Sequence, residues 1–122
     1  MRLLIIDDSR TMRSILRAYA EEQGMETSEA GDGLEALERL RADGPFDAAL
    51  IDWDMPRMDG ITLLRELRQD PAYRGLKTLM VTAQSSFENV TEAMLAGADD
   101  YLMKPLDEAM FLDKLRLIGV LT

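Results

Sequence analysis

FDAALIDWDMPRMDG, residues Phe46 to Gly60, is where the reading of this chain begins. Asp47 to Ile51 is a short and almost wholly apolar run, the pattern of a central strand covered on both faces, and it stops at Asp52. A carboxylate therefore stands where a buried strand surfaces. In an open α/β sheet the loops diverge at the carboxyl ends of the strands and leave a crevice in which ligands and chemistry collect. Asp52 is thus the candidate reacting residue, a reading favoured over that of a turn-starting aspartate.

Working outward, the same grammar repeats. Leu3 to Ile6 reads as a buried strand ending at Asp7-Asp8, and Met12, Ile15, Leu16 and Tyr19 then recur at helical spacing until Gly24. Met25 to Ala30 is a more polar strand suited to a sheet edge. Asp32 with Glu35 has capping-box spacing for a helix carrying Leu34, Leu37 and Leu40, which Gly44-Pro45 ends. Asp59-Gly60 opens a helix with Ile61, Leu64 and Leu67 inward, stopping before Asp70-Pro71. Lys77 to Thr82 is the fourth strand. Ser85 with Glu88 is expected to cap a helix whose inner face holds Val90, Ala93, Met94 and Gly97. Asp100 to Met103 is the fifth strand, and Asp107 caps a last helix with Leu106 and Phe111 at staple positions. Strands alternating with helices call for a doubly wound parallel sheet, covered on both faces and joined by right-handed crossovers, in one domain over residues 1–122.

Composition narrows the chemistry. With 23 acidic against 14 basic residues, a net charge of −9 repels phosphate backbones, so a nucleic acid is not an expected partner. There is no cysteine and no histidine, which removes disulfides, thiolate sites and the usual zinc ligand and general base. Carboxylates, hydroxyls and lysine remain. The first apolar run is too short for a signal peptide or a membrane span, so a cytoplasmic protein is expected.

If the strands are parallel, Asp7-Asp8, Asp52, Thr82 and Lys104 share one edge of the sheet. An aspartate between strand and helix is most often only a cap. A second carboxylate beside it is costly unless a cation intervenes, and hard oxygen donors are what Mg²⁺ takes. Three aspartates, one lysine and one divalent cation sum to neutrality. Thr82 could bond to local backbone or donate to a phosphoryl oxygen. Pro105 restricts Lys104 and is a candidate cis bond.

The joint pattern, IIDDS at 5–9, LIDWDMPRMDG at 50–60, VTA at 81–83 and YLMKP at 101–105, resembles the receiver domain of two-component response regulators, most of all the stand-alone chemotaxis (CheY-like) type. The strand order 2-1-3-4-5 is taken from that family, a standard example of the doubly wound arrangement. The resemblance implies that Asp52 accepts a phosphoryl group from a histidine kinase or a histidine phosphotransfer protein. It implies Mg²⁺, or Mn²⁺, held by Asp8, Asp52 and the backbone carbonyl of Asp54, with Asp7 acting through water. Lys104 and Thr82 would hold phosphoryl oxygens. Thr82 and Tyr101 would switch the surface of helix 4, strand 5 and helix 5, where an output protein binds a monomeric receiver. Trp53, Ala83, Gln84 and Pro105 adjoin the site. The family commonly has an amide where this chain has Asp54, and Gln84 stands where it could orient or block an attacking water. From the residue type alone, Tyr101 is expected to pack at the sheet edge.

One alternative fits the motifs equally and the others fit less well. A relay or sink receiver without its own output would share every motif. A haloacid-dehalogenase-type phosphohydrolase also uses D-x-D, as in Asp52-Trp53-Asp54, but on the first strand of a longer chain. A dinucleotide or flavin binder would want glycines or hydroxyls where Asp7-Asp8 stand, and Pro56 breaks an EF-hand reading of 52–60.

Overall fold

The computed structural model describes residues 1–122. Five strands alternate with five helices: β1 (Arg2–Ile6), α1 (Arg10–Glu22), β2 (Glu26–Ala30), α2 (Gly33–Asp43), β3 (Ala48–Ile51), α3 (Gly60–Gln69), β4 (Lys77–Thr82), α4 (Phe87–Ala96), β5 (Asp100–Met103) and α5 (Glu108–Leu117). The sheet is wholly parallel in the order β2-β1-β3-β4-β5.

Side-chain alternation along the strands divides the interior into two layers. Leu3, Ile5, Ala48, Leu50, Leu79, Val81 and Leu102 face α1 and α5, meeting Leu16, Ala20, Phe111 and Leu115. Leu4, Ile6, Ala49, Ile51 and Met80 face the other way, onto Ala36, Leu40, Ile61, Leu64, Leu67 and Ala93 of α2, α3 and α4. β3 is buried at every position because both layers close over it. Each Leu or Ile so buried is worth about 1.5–3 kcal/mol relative to exposure, which makes these two layers the main term holding the sheet. No helix is long and apolar enough to cross a membrane.

The helix starts follow their caps, with one shift. Ser9, Asp32, Asp59 and Asp107 each accept a backbone N–H from three residues on. At α4 the cap is Ser86, which accepts from Asn89 N, and not Ser85. Both serines could do this, and the helix begins one residue later than Ser85 requires. Glu35 also departs from the full capping box, since its carboxylate accepts from Gly31 N at 3.3 Å. Ile15 and Leu34, apolar positions that match the helical period, and Met94, expected on the inner face of α4, lie exposed. Each helix covers only one side of a sheet and buries a narrow stripe. The flanks of that stripe stay wet even when apolar.

Candidate functional site

Asp7, Asp52 and Lys104 lie one position beyond their strands, and Thr82 is the last residue of β4, yet the sheet's hydrogen bonding still reaches all of them. Asp7 N–H donates to Ala30 O at 3.0 Å, Asp52 N–H to Ile6 O at 2.9 Å and Lys104 N–H to Thr82 O at 2.9 Å. Each backbone is therefore held by its neighbouring strand before any side chain acts. Gly60 permits the close return of the chain behind Asp52. A Cβ there would stand 2.0 Å from the Asp52 carbonyl oxygen, and its N–H donates to Trp53 O at 2.9 Å.

The side chains converge. Lys104 Nζ donates to Asp7 Oδ2 at 2.8 Å and to Asp52 Oδ2 at 3.3 Å. The second oxygen of each carboxylate is also engaged, Asp7 Oδ1 by Ser9 N–H at 2.9 Å and Asp52 Oδ1 by Trp53 N–H at 2.7 Å. Asp7 and Asp52 are only 2% and 7% exposed, whereas Asp8 is open to solvent. One carboxylate oxygen from each of Asp7, Asp8 and Asp52 lies within 4.8 Å of the others. An all-oxygen set on a shared edge, with one member facing solvent, fits a hard divalent cation that keeps several waters.

The electrostatics follow from burial. Desolvation, and then the charge of Asp7, push the Asp52 carboxyl above its usual range, against the pull of Lys104, the Thr82 hydroxyl and Trp53 N–H. Desolvation alone would lower Lys104, but its bond to Asp7 and the charges of Asp52 and Asp7 outweigh that and raise it. It remains an ammonium. One cation therefore serves two buried anions, and negative charge is left over for a second cation to cancel.

Thr82 is fully buried, and its Oγ1 accepts from Gln84 N–H at 3.2 Å. Gln84 gathers further contacts: its side-chain amide donates to Asp54 Oδ2 at 2.7 Å, its Oε1 accepts from Asn89 at 2.8 Å, and its carbonyl accepts from the Tyr101 hydroxyl at 2.6 Å. Tyr101 thus belongs to an edge strand but its ring is buried, because the hydroxyl finds a partner inside. Burial, with help from the charges of Asp52 and Asp54, lifts that phenol above its usual value. Trp53 and Pro105 flank the site, Ala83 is exposed, and the Lys104–Pro105 peptide is cis. The largest surface groove, about 510 Å³, lies apart from this chemistry, along the exposed side of α4 at Phe87 and Leu95.

Two contacts had no counterpart in the sequence reading. Asn89 reaches Gln84, and Arg57 pairs with the buried Asp32. Asp32 was fully explained as a helix cap, so nothing in the chain's local pattern marked it for a second partner.

A charge-compensated aspartate on the rim of a doubly wound sheet, in a chain without histidine, defines a class in which a carboxylate takes up a group under the control of neighbouring cations. Comparison with known proteins narrows this. The response regulator receiver domain matches residues 3–116. The chain is 42% identical over 116 residues to chemotaxis protein CheY-3 of Vibrio cholerae, covering 94% of this chain and 88% of that protein. It is 40% identical over 119 residues to chemotaxis protein CheY of Pseudomonas aeruginosa, covering 97% and 95%. The solved structure of the chemotaxis response regulator CheY4 of Vibrio cholerae superposes with a TM-score of 0.89 at 30% identity, covering 96% of this chain and 97% of that one. The chain belongs to the receiver domain family of response regulators, phosphorylation-activated signalling switches.

Proposed function

We propose that Asp52 is the phosphoacceptor of this receiver, that Mg²⁺ supports the transfer, and that phosphorylation alters the α4–β5–α5 surface to regulate a target protein. The observation that carries this is the placement of the Asp52 carboxylate at the end of a buried strand, bonded to Lys104 and adjoining Asp7 and Asp8. In the transfer, an Asp52 oxygen attacks the phosphorus of a phosphohistidine. The new O–P bond forms as the N–P bond breaks, and the electron pair leaves with the imidazole nitrogen. Catalysis of such a transfer is mainly positioning and charge neutralisation, so a general base is not required. Asp8, Asp52 and the Asp54 carbonyl would hold the Mg²⁺ directly and Asp7 through water; Mn²⁺ is the alternative ion. Bound there, the metal supplies positive charge against the phosphoryl oxygens.

Lys104 and Thr82 act on the remaining oxygens. Lys104 has to leave Asp7 to neutralise the phosphoryl group, and Thr82, whose Oγ1 accepts from Gln84 N–H, has its own O–H to donate to a phosphoryl oxygen as the side chain moves toward it. Thr82 and Tyr101 meet at Gln84, so this movement reaches the wall formed by α4 and β5. The donor is a histidine kinase or histidine phosphotransfer protein. Both relatives named above are chemotaxis proteins, which supports a target in the control of motility.

The test uses Trp53, the only tryptophan, next to the acceptor. Mg²⁺ followed by beryllofluoride should change its fluorescence in the wild type, while Asp52→Asn should lose the beryllofluoride response. An equal change in Asp52→Asn, or none in the wild type, would refute the assignment.

A further inference from the structure

Arg57 is the one non-glycine residue in the chain with a positive φ, 64°. That left-handed region crowds a Cβ, so glycine or asparagine is its ordinary occupant. An arginine persists there when the surroundings hold it. Its guanidinium is held: Nε donates to Asp32 Oδ2 at 2.8 Å and Nη2 to Asp32 Oδ1 at 3.2 Å, a planar fork meeting a carboxylate. Asp32 is buried and is itself fixed as the cap of α2, accepting from Glu35 N–H at 2.9 Å. The adjoining backbone is locked as well. Gly33 N–H donates to Met58 O at 3.0 Å, and a Cβ on Gly33 would fall 2.6 Å from Met58 Cγ.

The loop from Trp53 to Asp59 is therefore closed at its base by the Gly60–Trp53 bond and pinned to the start of α2 through Arg57 and Met58. Asp54 lies between the pins. Its carboxylate is taken by Gln84, whereas its carbonyl accepts no hydrogen bond from the chain.

We propose that Arg57 and Asp32 form a clamp that positions this loop, and with it the Asp54 carbonyl, for the divalent cation held by the aspartates at the ends of β1 and β3. The inference rests on the metal reading given above. Neither residue touches the cation, so both are positioning residues. Mg²⁺ demands near-ideal octahedral geometry at short distances, while Ca²⁺ accepts looser and longer coordination. A clamp that acts by placement therefore favours Mg²⁺, and loosening it narrows the preference over Ca²⁺.

Arg57→Gly in the full chain is the direct variant, because glycine accepts the positive φ without strain while the side chain that reaches Asp32 is lost. Mg²⁺ and Ca²⁺ titrations read by Trp53 fluorescence, with thermal unfolding in the absence of metal run alongside, should show Mg²⁺ affinity about tenfold weaker, the scale seen when outer-shell partners of a metal site are lost. Ca²⁺ affinity should change clearly less. Arg57→Lys supplies charge without the fork and should not restore Mg²⁺ affinity. Asp32→Asn, which keeps a capping oxygen, should reproduce the selective loss, and the double variant should be no worse than either single one. Wild-type Mg²⁺ affinity in Arg57→Gly, or parallel losses for both ions, would overturn the clamp. A wild type with no Mg²⁺ response that Asp8→Ala removes would instead sink the metal reading, and the clamp with it.

Discussion

Lys104 lies closer to Asp7 than to Asp52, 2.8 Å against 3.3 Å, although Asp52 is the residue at the end of the central strand. The ammonium is shared by two buried carboxylates, and the less exposed of them holds it more tightly. Removing it leaves two anions facing each other. Lys104→Ala should therefore destabilise the metal-free protein by about 2 kcal/mol, less than the loss for a fully buried pair because the lysine is partly solvated. Saturating Mg²⁺ should recover much of this, since a cation again stands between the carboxylates. The gain in Tm on adding Mg²⁺ should thus be larger in the variant than in the wild type, as scanning calorimetry would show. Tyr101 spectra that respond to phosphorylation in Lys104→Ala as they do in the wild type would remove Lys104 from the switch.

Asp52 also sets a pH dependence. Its carboxyl titrates above the unfolded value of about 3.9, through burial first and Asp7 second. Between those two titrations the folded state binds more protons than the unfolded state, so stability falls as pH rises through the window. Above the window the deficit is constant, and below about pH 4 it is absent. Asp52→Asn carries no charge to bury. Without divalent cations it should melt on the order of a few degrees above the wild type at pH 7, and the gap should close as pH drops below the ordinary carboxylate value. A gap that does not vary with pH would mean that the titration of Asp52 is not its source.

Much of this site was legible because strand ends in a parallel sheet collect on one edge, so Asp7, Asp52, Thr82 and Lys104 needed only strand signals to be grouped. The apolar run ending at Asp52 gave a signal that no neighbouring stretch contradicted. Legibility failed where one residue type permits two outcomes. Ser85 and Ser86 are equally good caps, and Leu34 and Met94 match the helical period yet sit on its wet flank. It failed again where the partner is remote. Nothing local to Tyr101 shows that the Gln84 carbonyl waits inside, and Arg57 finds Asp32 across 25 residues.

Arg68 is expected to hold the opposite edge of the sheet together. From α3 its guanidinium donates to Gly97 O at 2.9 Å, Leu76 O at 2.8 Å, Tyr73 O at 3.1 Å and Thr78 Oγ1 at 3.0 Å, and it pairs with Asp99 at 3.2 Å. One side chain thus satisfies the end of α4, the loop before β4 and the start of β4 itself. Arg68→Met keeps the apolar stem but orphans these acceptors, and should cost about 3 kcal/mol in urea unfolding. Arg68→Lys should recover little, because an ammonium lacks the five-donor fork. Being far from the acidic edge, both should bind Mg²⁺ as the wild type does at temperatures where they are folded. Recovery of full stability by lysine would mean that charge alone, rather than the fork, is what this edge requires.

The bond between Tyr101 and Gln84 gives the last expected outcome. Gln84 is reached by Thr82 through its N–H, by Asp54 and Asn89 through its side chain, and by Tyr101 through its carbonyl. Only the Tyr101 contact ties this loop to β5. Tyr101→Phe keeps the buried ring and deletes one hydrogen bond, a loss of about 1 kcal/mol. If that bond restrains the loop, amide hydrogen exchange over residues 84–89 should speed up by roughly fivefold, while exchange in β1 and β3 follows only the small global change. Gln84→Ala offers the complement. It removes the links to Asp54 and Asn89 but leaves the carbonyl in place, so Tyr101 should stay buried and its raised phenol titration should persist. Unchanged exchange in Tyr101→Phe would show that α4 is held by its own packing through Ala93 and not by the tyrosine, and a phosphorylation signal would then have to reach the output face by another route.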